Sequence, residues 1–150
     1  MYNYTKEVSN QLNGLLEKNY DAEKGYKTAA ENVNSEVLTS LFQRKAEERK
    51  RFGKELKAEI RSFGQTPDKG GSSTGTAHRA WMDTKAFFSP DADESMLEEA
   101  IRGEKASIEE YNEVINSKEH LPQSTSDILK NHRDSILNDT ILIKKLEEIK

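Results

Sequence analysis

Leu38-Thr39-Ser40-Leu41-Phe42-Gln43-Arg44-Lys45-Ala46-Glu47-Glu48-Arg49-Lys50-Arg51-Phe52-Gly53-Lys54-Glu55-Leu56 holds one line, Leu38, Phe42, Lys45, Arg49, Phe52, Leu56, with spacings of four and three in alternation. That spacing puts the line on one face of an α-helix. The pattern continues through Ile60 and Phe63 to Gly64, a C-terminal stop, and it starts near Asn34 or Ser35, either of which is a good cap. Upstream, Val8, Leu12, Leu15, Leu16, Ala22, Tyr26, Ala29, Ala30 and Val33 predict a helix from about Asn3 to Val33. So short a link between the two predicts an antiparallel hairpin.

Downstream, the pattern breaks from Gln65 to Thr76, including Lys69-Gly70-Gly71-Ser72-Ser73, a flexible composition too long for a tight turn. Ala77 to Phe88 is a short amphipathic segment with Ala77, Trp81 and Phe88 on one side, and Ser89-Pro90 reads as a cap followed by proline in the first turn. A third helix carries Leu97, Ala100, Ile101, Ile108, Tyr111, Val114 and Ile115 inward and ends near Lys118. Leu121-Pro122 opens a fourth, with Ile128, Leu129, Ile136, Leu142, Ile143, Leu146 and Ile149 inward. The fold class is therefore all-α: a four-helix bundle of two antiparallel hairpins, with a crossover over about 64–90 that carries a short extra helix. Tyr20 to Tyr26 and Ile101 to Ser107 also look alike around Glu23-Lys24 and Glu104-Lys105, which suggests two related hairpins.

Composition narrows the function. The 150 residues, 33% hydrophobic and 33% charged, suit one domain over 1–150. With no cysteine, the chain is without disulfides, thiolate metal sites and a thiol nucleophile, which fits a reducing, cytoplasmic setting. A net charge of -4, with both signs mixed along the chain, offers no cationic footprint for nucleic acid. No apolar run approaches the roughly 20 residues of a membrane helix, and Met1-Tyr2-Asn3-Tyr4 does not open a signal peptide. No Gly-x-Ser-x-Gly elbow occurs, and Gly64 to Ser73 matches a phosphate loop in composition alone.

The informative residues are polar groups standing inside apolar lines. Helix three reads Leu97, Ile101, Glu104, Ile108, Tyr111, Ile115; helix one reads Leu12, Leu16, Asn19, Glu23, Tyr26, Ala30. Helix four places His132 between Leu129 and Ile136, with Asp139 nearer the border, and helix two centres Arg49. Asn19, Glu23, Arg49, Glu104 and His132 are thus expected to form a buried polar layer, since buried charges must be paired. The alternative is a metal site on Glu23, Glu48, Glu104 and His132 holding iron or manganese, in a metal-dependent oxidase or a storage protein. Di-iron carboxylate bundles take Glu from two helices and Glu-x-x-His from each of the other two. Here Gly75, Ser117 and Leu129 precede His78, His120 and His132 by three, so that motif is absent. Arg49, permanently cationic, can neutralise facing glutamates where a metal pair otherwise would.

The segments Glu23 to Ala30, Leu41-Phe42 through Ala46, Arg49, Phe52 and Glu55-Leu56, His78 to Asp83, and Arg102-Gly103-Glu104 with Tyr111 together resemble a bacterial family of four-helix-bundle proteins near the ferritins, known as a domain of unknown function. The resemblance covers nearly the whole chain. It implies a ferritin-like fold and no established reaction, and it carries ferritin-like ligands over only to Glu23, Glu104 and Glu48. The expectation is a non-catalytic bundle with no cofactor, acting as a homo-oligomer or on a protein partner.

Overall fold

The computed structural model describes residues 2–69, 92–117 and 120–149. Among them the regular elements are four helices: α1 (Tyr2–Asn32), α2 (Glu36–Ser62), α3 (Ala92–Ile115) and α4 (Gln123–Ile149). Ser35 opens α2, its Oγ accepting from the Leu38 N–H at 3.3 Å. Gly64, at φ 76°, closes it. There the Gln65 N–H reaches the Ile60 carbonyl at 3.2 Å and the Gly64 N–H reaches Arg61 at 2.9 Å, a paired closure that needs a left-handed residue at Gly64. Helix α3 stops at Ile115, short of Lys118, in a tighter turn where the Ser117 N–H bonds Val114 at 3.2 Å. Pro122 starts α4, its carbonyl accepting from Ser126 at 2.9 Å. The Ala77 to Phe88 segment, the Ser89-Pro90 cap and most of the crossover lie outside the described residues.

Helix α1 packs along α2 and α3 along α4, and the hairpins meet through α1 against α3 and α2 against α4. This is the four-helix bundle of two antiparallel hairpins expected from the apolar spacing. Three side chains fix how the pieces meet. The Asp93 carboxylate, in the first turn of α3, accepts from the N–H groups of Asn34 and Ser35 at 2.7 and 3.0 Å, tying the second hairpin to the turn of the first. Asn13 accepts from the Asp68 N–H at 2.8 Å, and Tyr20 donates to the Asp68 carbonyl at 3.3 Å, so the start of the crossover lies back against α1.

The core is in two parts. Tyr26, Ala29, Leu38, Phe42, Met96, Leu97, Ala100 and Ile143 belong to one apolar cluster; Leu12, Leu16, Phe52, Leu56, Ile60, Leu129 and Ile136 belong to the other. Each fully buried Leu or Phe contributes about 1.5–3 kcal/mol over its exposed state. Leu142, expected inward, is 41% exposed: Ile136, Thr140 and Ile143 take the inward phase of α4, and a residue next to Ile143 is turned about 100° away from it.

Candidate functional site

Between the two clusters lies a layer of polar side chains: Asn19 from α1, Lys45 and Arg49 from α2, Glu104 and Ser107 from α3, and His132 from α4, each at most 2% exposed. The interruption is set by sequence phase, because Lys45 and Arg49 sit between Phe42 and Phe52 on the inward line of α2. Glu104 and Ser107 likewise sit between Ala100 and Tyr111 on α3.

Arg49 joins three helices. Its Nη2 donates to Glu104 Oε1 at 2.5 Å and to Ser107 Oγ at 3.0 Å, and its Nη1 donates to Asn19 Oδ1 at 2.9 Å. Burial opposes the guanidinium charge, but Glu104 beside it holds its pKa above the ordinary arginine value. The carboxyl of Glu104 is itself held below the usual range, since Arg49 and Lys45 outweigh the burial that pushes it up.

Lys45 is the second buried cation. Its Nζ lies 2.5 Å from Glu48 Oε1, 2.5 Å from Asp139 Oδ2 and 3.0 Å from Glu104 Oε2. The ammonium has three N–H donors and faces three carboxylates, one each from α2, α3 and α4. Burial lowers its pKa, Glu104 raises it, and the balance lies above the ordinary lysine value. Burial pushes Glu48 up, whereas Asp139 is held down against burial by its hydrogen bond to Glu48 and by Lys45. Glu104 thus bridges two cations, Arg49 on one oxygen and Lys45 on the other.

On the far side of Arg49 the contacts change character. Asn19 Nδ2 donates to the Leu15 carbonyl and to Tyr111 Oη, both at 2.9 Å. Tyr111 Oη lies 2.9 Å from His132 Nδ1, and His132 Nε2 lies 2.6 Å from Glu55 Oε1. Because the Asn19 carbonyl oxygen already accepts from Arg49, its amide must donate to Tyr111, whose own proton then points at Nδ1. His132 is therefore the neutral tautomer with its proton on Nε2, donating to Glu55. Burial pushes His132 below the usual histidine value, against the pull of Glu55, and pushes the Tyr111 hydroxyl up. The Phe52 ring stacks on His132 at 4.0 Å between centroids.

Of the five residues expected in the polar layer, Asn19, Arg49, Glu104 and His132 lie on this one connected path. Glu23 is placed apart: half-buried, its carboxylate pairs with Lys27 one turn along α1 at 2.9 Å. Ala22 and Tyr26 take the inward positions beside it. Of the four candidate metal ligands, Glu48 and Glu104 meet, but at Lys45, and His132 is held by Tyr111 and Glu55 beyond Arg49. The donor set as arranged does not fit a metal ion: the point facing Glu48, Glu104 and Asp139 is filled by an ammonium. Among the described residues no three or more His, Asp or Glu side chains form a group able to hold a metal. Lys45 and Asp139 were the residues harder to assign from sequence. Their signal was Lys45 on the inward line, one turn before Arg49.

A family model described as a domain of unknown function (DUF2383) matches residues 7–117. The chain belongs to this DUF2383 family. No characterised protein matches its sequence. Among solved structures, it is similar to a mutant of Dps1 from Mycobacterium smegmatis, at 19% identity and TM-score 0.81 over 97% of each chain. It is also similar to a dodecameric thioferritin, the bacterioferritin-related protein of Bacteroides fragilis, at 22% identity and TM-score 0.67 over 96% of this chain and 90% of that one. These similarities establish the ferritin-like fold. No described helix is long and apolar enough to cross a membrane.

Proposed function

We propose that this DUF2383 chain is a non-catalytic ferritin-like bundle, one domain over residues 1–150, which acts in the cytoplasm by associating with copies of itself or with a protein partner. Its core polar layer serves structure: it sets which turns of the four helices face one another. One observation carries the reading. The carboxylates that would serve metal chemistry are already matched by cations tethered to the chain, Lys45 Nζ and the Arg49 guanidinium.

Association draws support from apolar side chains left at the surface, Val37, Leu137, Ile141 and Leu142, and from the dodecameric state named for the Bacteroides fragilis relative. The test is elemental analysis of protein purified without chelators, combined with light scattering on the eluting species. The expected result is an assembly larger than one chain with no stoichiometric iron, manganese or zinc. Stoichiometric metal that disappears in Glu104→Ala would instead favour the metal-dependent oxidase or storage reading on Glu23, Glu48, Glu104 and His132. A chain that stays monomeric at all concentrations would leave the protein partner as its mode of action.

A further inference from the structure

We propose that the chain associates head to tail with further copies of itself, the outward face of α2 on one copy docking against the outward face of α3 on the next. The inference rests on the self-association reading above and gives that reading its two surfaces.

Charge is mixed along the sequence but sorted in space. Over its last three turns α2 carries Lys50, Arg51, Lys54, Lys57 and Arg61, with Glu55 and Glu59 as the acids between them. Both acids are turned toward α4, where Glu55 meets His132 Nε2 at 2.6 Å and Glu59 accepts from Thr125 Oγ1 at 2.6 Å. The cations are left on the outer side: Lys57 is half-buried with its ammonium 5.2 Å from the Tyr20 ring, and the other four are exposed. Helix α3 shows the reverse. Glu94, Glu98, Glu109 and Glu113 are exposed on its outer side with Lys105 among them, while Arg102 is taken up by Glu99 at 2.8 Å on the same helix. Among the described residues no ion pair engages the five cations of α2 or these four glutamates. By the rise per residue, the basic stripe is about 16 Å long and the acidic one about 28 Å, so the first fits within the second.

Topology keeps the two signs apart. Helix α2 packs along α1 and meets α4, and α3 packs along α4 and meets α1, so α2 and α3 stand at opposite corners of the bundle. Their outer faces point away from each other and cannot meet within one chain. A basic stripe alone would fit any polyanion. What selects a second copy is that the same chain carries the complementary stripe on its opposite side, while a net charge of -4 sets the molecule as a whole against a polyanion. Unlike faces meeting in this way make a heterologous contact, which builds rings or open chains and does not stop at a symmetric pair.

The experiment follows assembly by sedimentation velocity in wild type, Lys50→Glu/Lys54→Glu/Arg61→Glu, Glu98→Lys/Glu109→Lys/Glu113→Lys and an equimolar mixture of the two variants, with circular dichroism to confirm folding. A labelled DNA duplex is titrated into wild type as a competitor. At about 0.01 M ionic strength, where charges act over about 30 Å, wild type should assemble; at about 1 M, where they act over about 3 Å, it should shift to smaller species. Each variant alone should assemble at least about 10-fold more weakly, one step on the affinity scale, because both its faces then carry one sign. The mixture should recover the larger species, because the acidic faces of one variant meet the basic faces of the other. If the α2 variant fails to fold, Lys50→Gln/Lys54→Gln/Arg61→Gln, which adds no like charges, should show the same weakening. Assembly of wild-type strength in a folded α2 variant, or a mixture no larger than its parts, overturns the proposal and leaves self-association standing through another face. Wild type that stays monomeric at low salt overturns the proposal and the self-association reading together. Duplex DNA that displaces the second copy from wild type assigns the basic stripe to a polyanion and overturns the proposal as well.

Discussion

The two ends of the polar layer meet at Arg49 and solve the same problem in opposite ways. At the Lys45 end, two cations and three acidic side chains are matched to one another at 2.5–3.0 Å, with Glu48 and Asp139 also sharing a hydrogen bond. At the His132 end the groups stay neutral: burial pushes the histidine down and the Tyr111 hydroxyl up, and polarity is satisfied by a directed run of hydrogen bonds through Asn19. Beyond Arg49, that run next reaches a charged group at Glu55, whose side chain is 46% exposed. A helical bundle can therefore hold ionic groups in its core either by pairing them or by suppressing their ionisation. The two solutions should fail differently when broken.

The largest effect is expected from Glu104→Gln. It keeps the shape but leaves both Arg49 and Lys45 short of a buried counter-charge, a loss of about 3–5 kcal/mol by comparison with other broken buried pairs. Urea unfolding followed by circular dichroism measures it. Tyr111→Phe, at the neutral end, removes the acceptor for Asn19 and the donor for His132 without stranding a charge. Its expected cost is about 1–3 kcal/mol. If the two substitutions cost the same, the distinction between the ends is wrong.

Acidification should separate the ends by pH window. His132 has a folded pKa below its ordinary 6.5, so the unfolded chain takes up that proton first. The contribution is complete above about 6.5 and is lost as the pH falls toward the folded value. Glu104, held below its ordinary 4.5, keeps its contribution down to about that pH and loses it further into acid. Glu48 works in the other direction, because its raised folded pKa means that the folded chain takes up that proton first. The unfolding free energy should thus decline in two stages, and His132→Gln should lack the upper one. A single stage unchanged by that substitution would mean that His132 ionises freely in the folded protein.

Spacing was enough for the helices, since Leu, Ile and Phe recur at intervals that only an α-helix can bury together, and Ser35 and Gly64 mark the ends of α2 by their own chemistry. It was enough, too, for Asn19, Arg49, Glu104 and His132, each flanked on its own line by residues that must be inside. Glu23 was misplaced because Ala22 and Tyr26 already fill the inward phase there, and a glutamate at the border has Lys27 within reach on the same helix. Lys45 shows the opposite ambiguity. A lysine on an inward line can extend its stem to solvent or turn its charge inside, and local sequence does not choose between these. The choice is made by three carboxylates on three helices, one of them 94 residues away, and it exists only once the hairpins have met.

The smallest expected change tests the link between the neutral end and solvent. Glu55→Gln removes an exposed carboxylate, so its effect on overall stability should stay below about 1 kcal/mol. The same carboxylate, through its hydrogen bond to Nε2, is what pulls the His132 pKa upward against burial. Removing it should leave the fold intact and move the His132 titration midpoint, followed by the imidazole resonances in nuclear magnetic resonance, further down. The upper stage of acid destabilisation should then reach lower pH while losing more stability in total, because the gap between folded and unfolded pKa has widened. An unmoved midpoint would mean that Glu55 does not hold the Nε2 proton, and the neutral end would then close at Tyr111 without any contact to a surface charge.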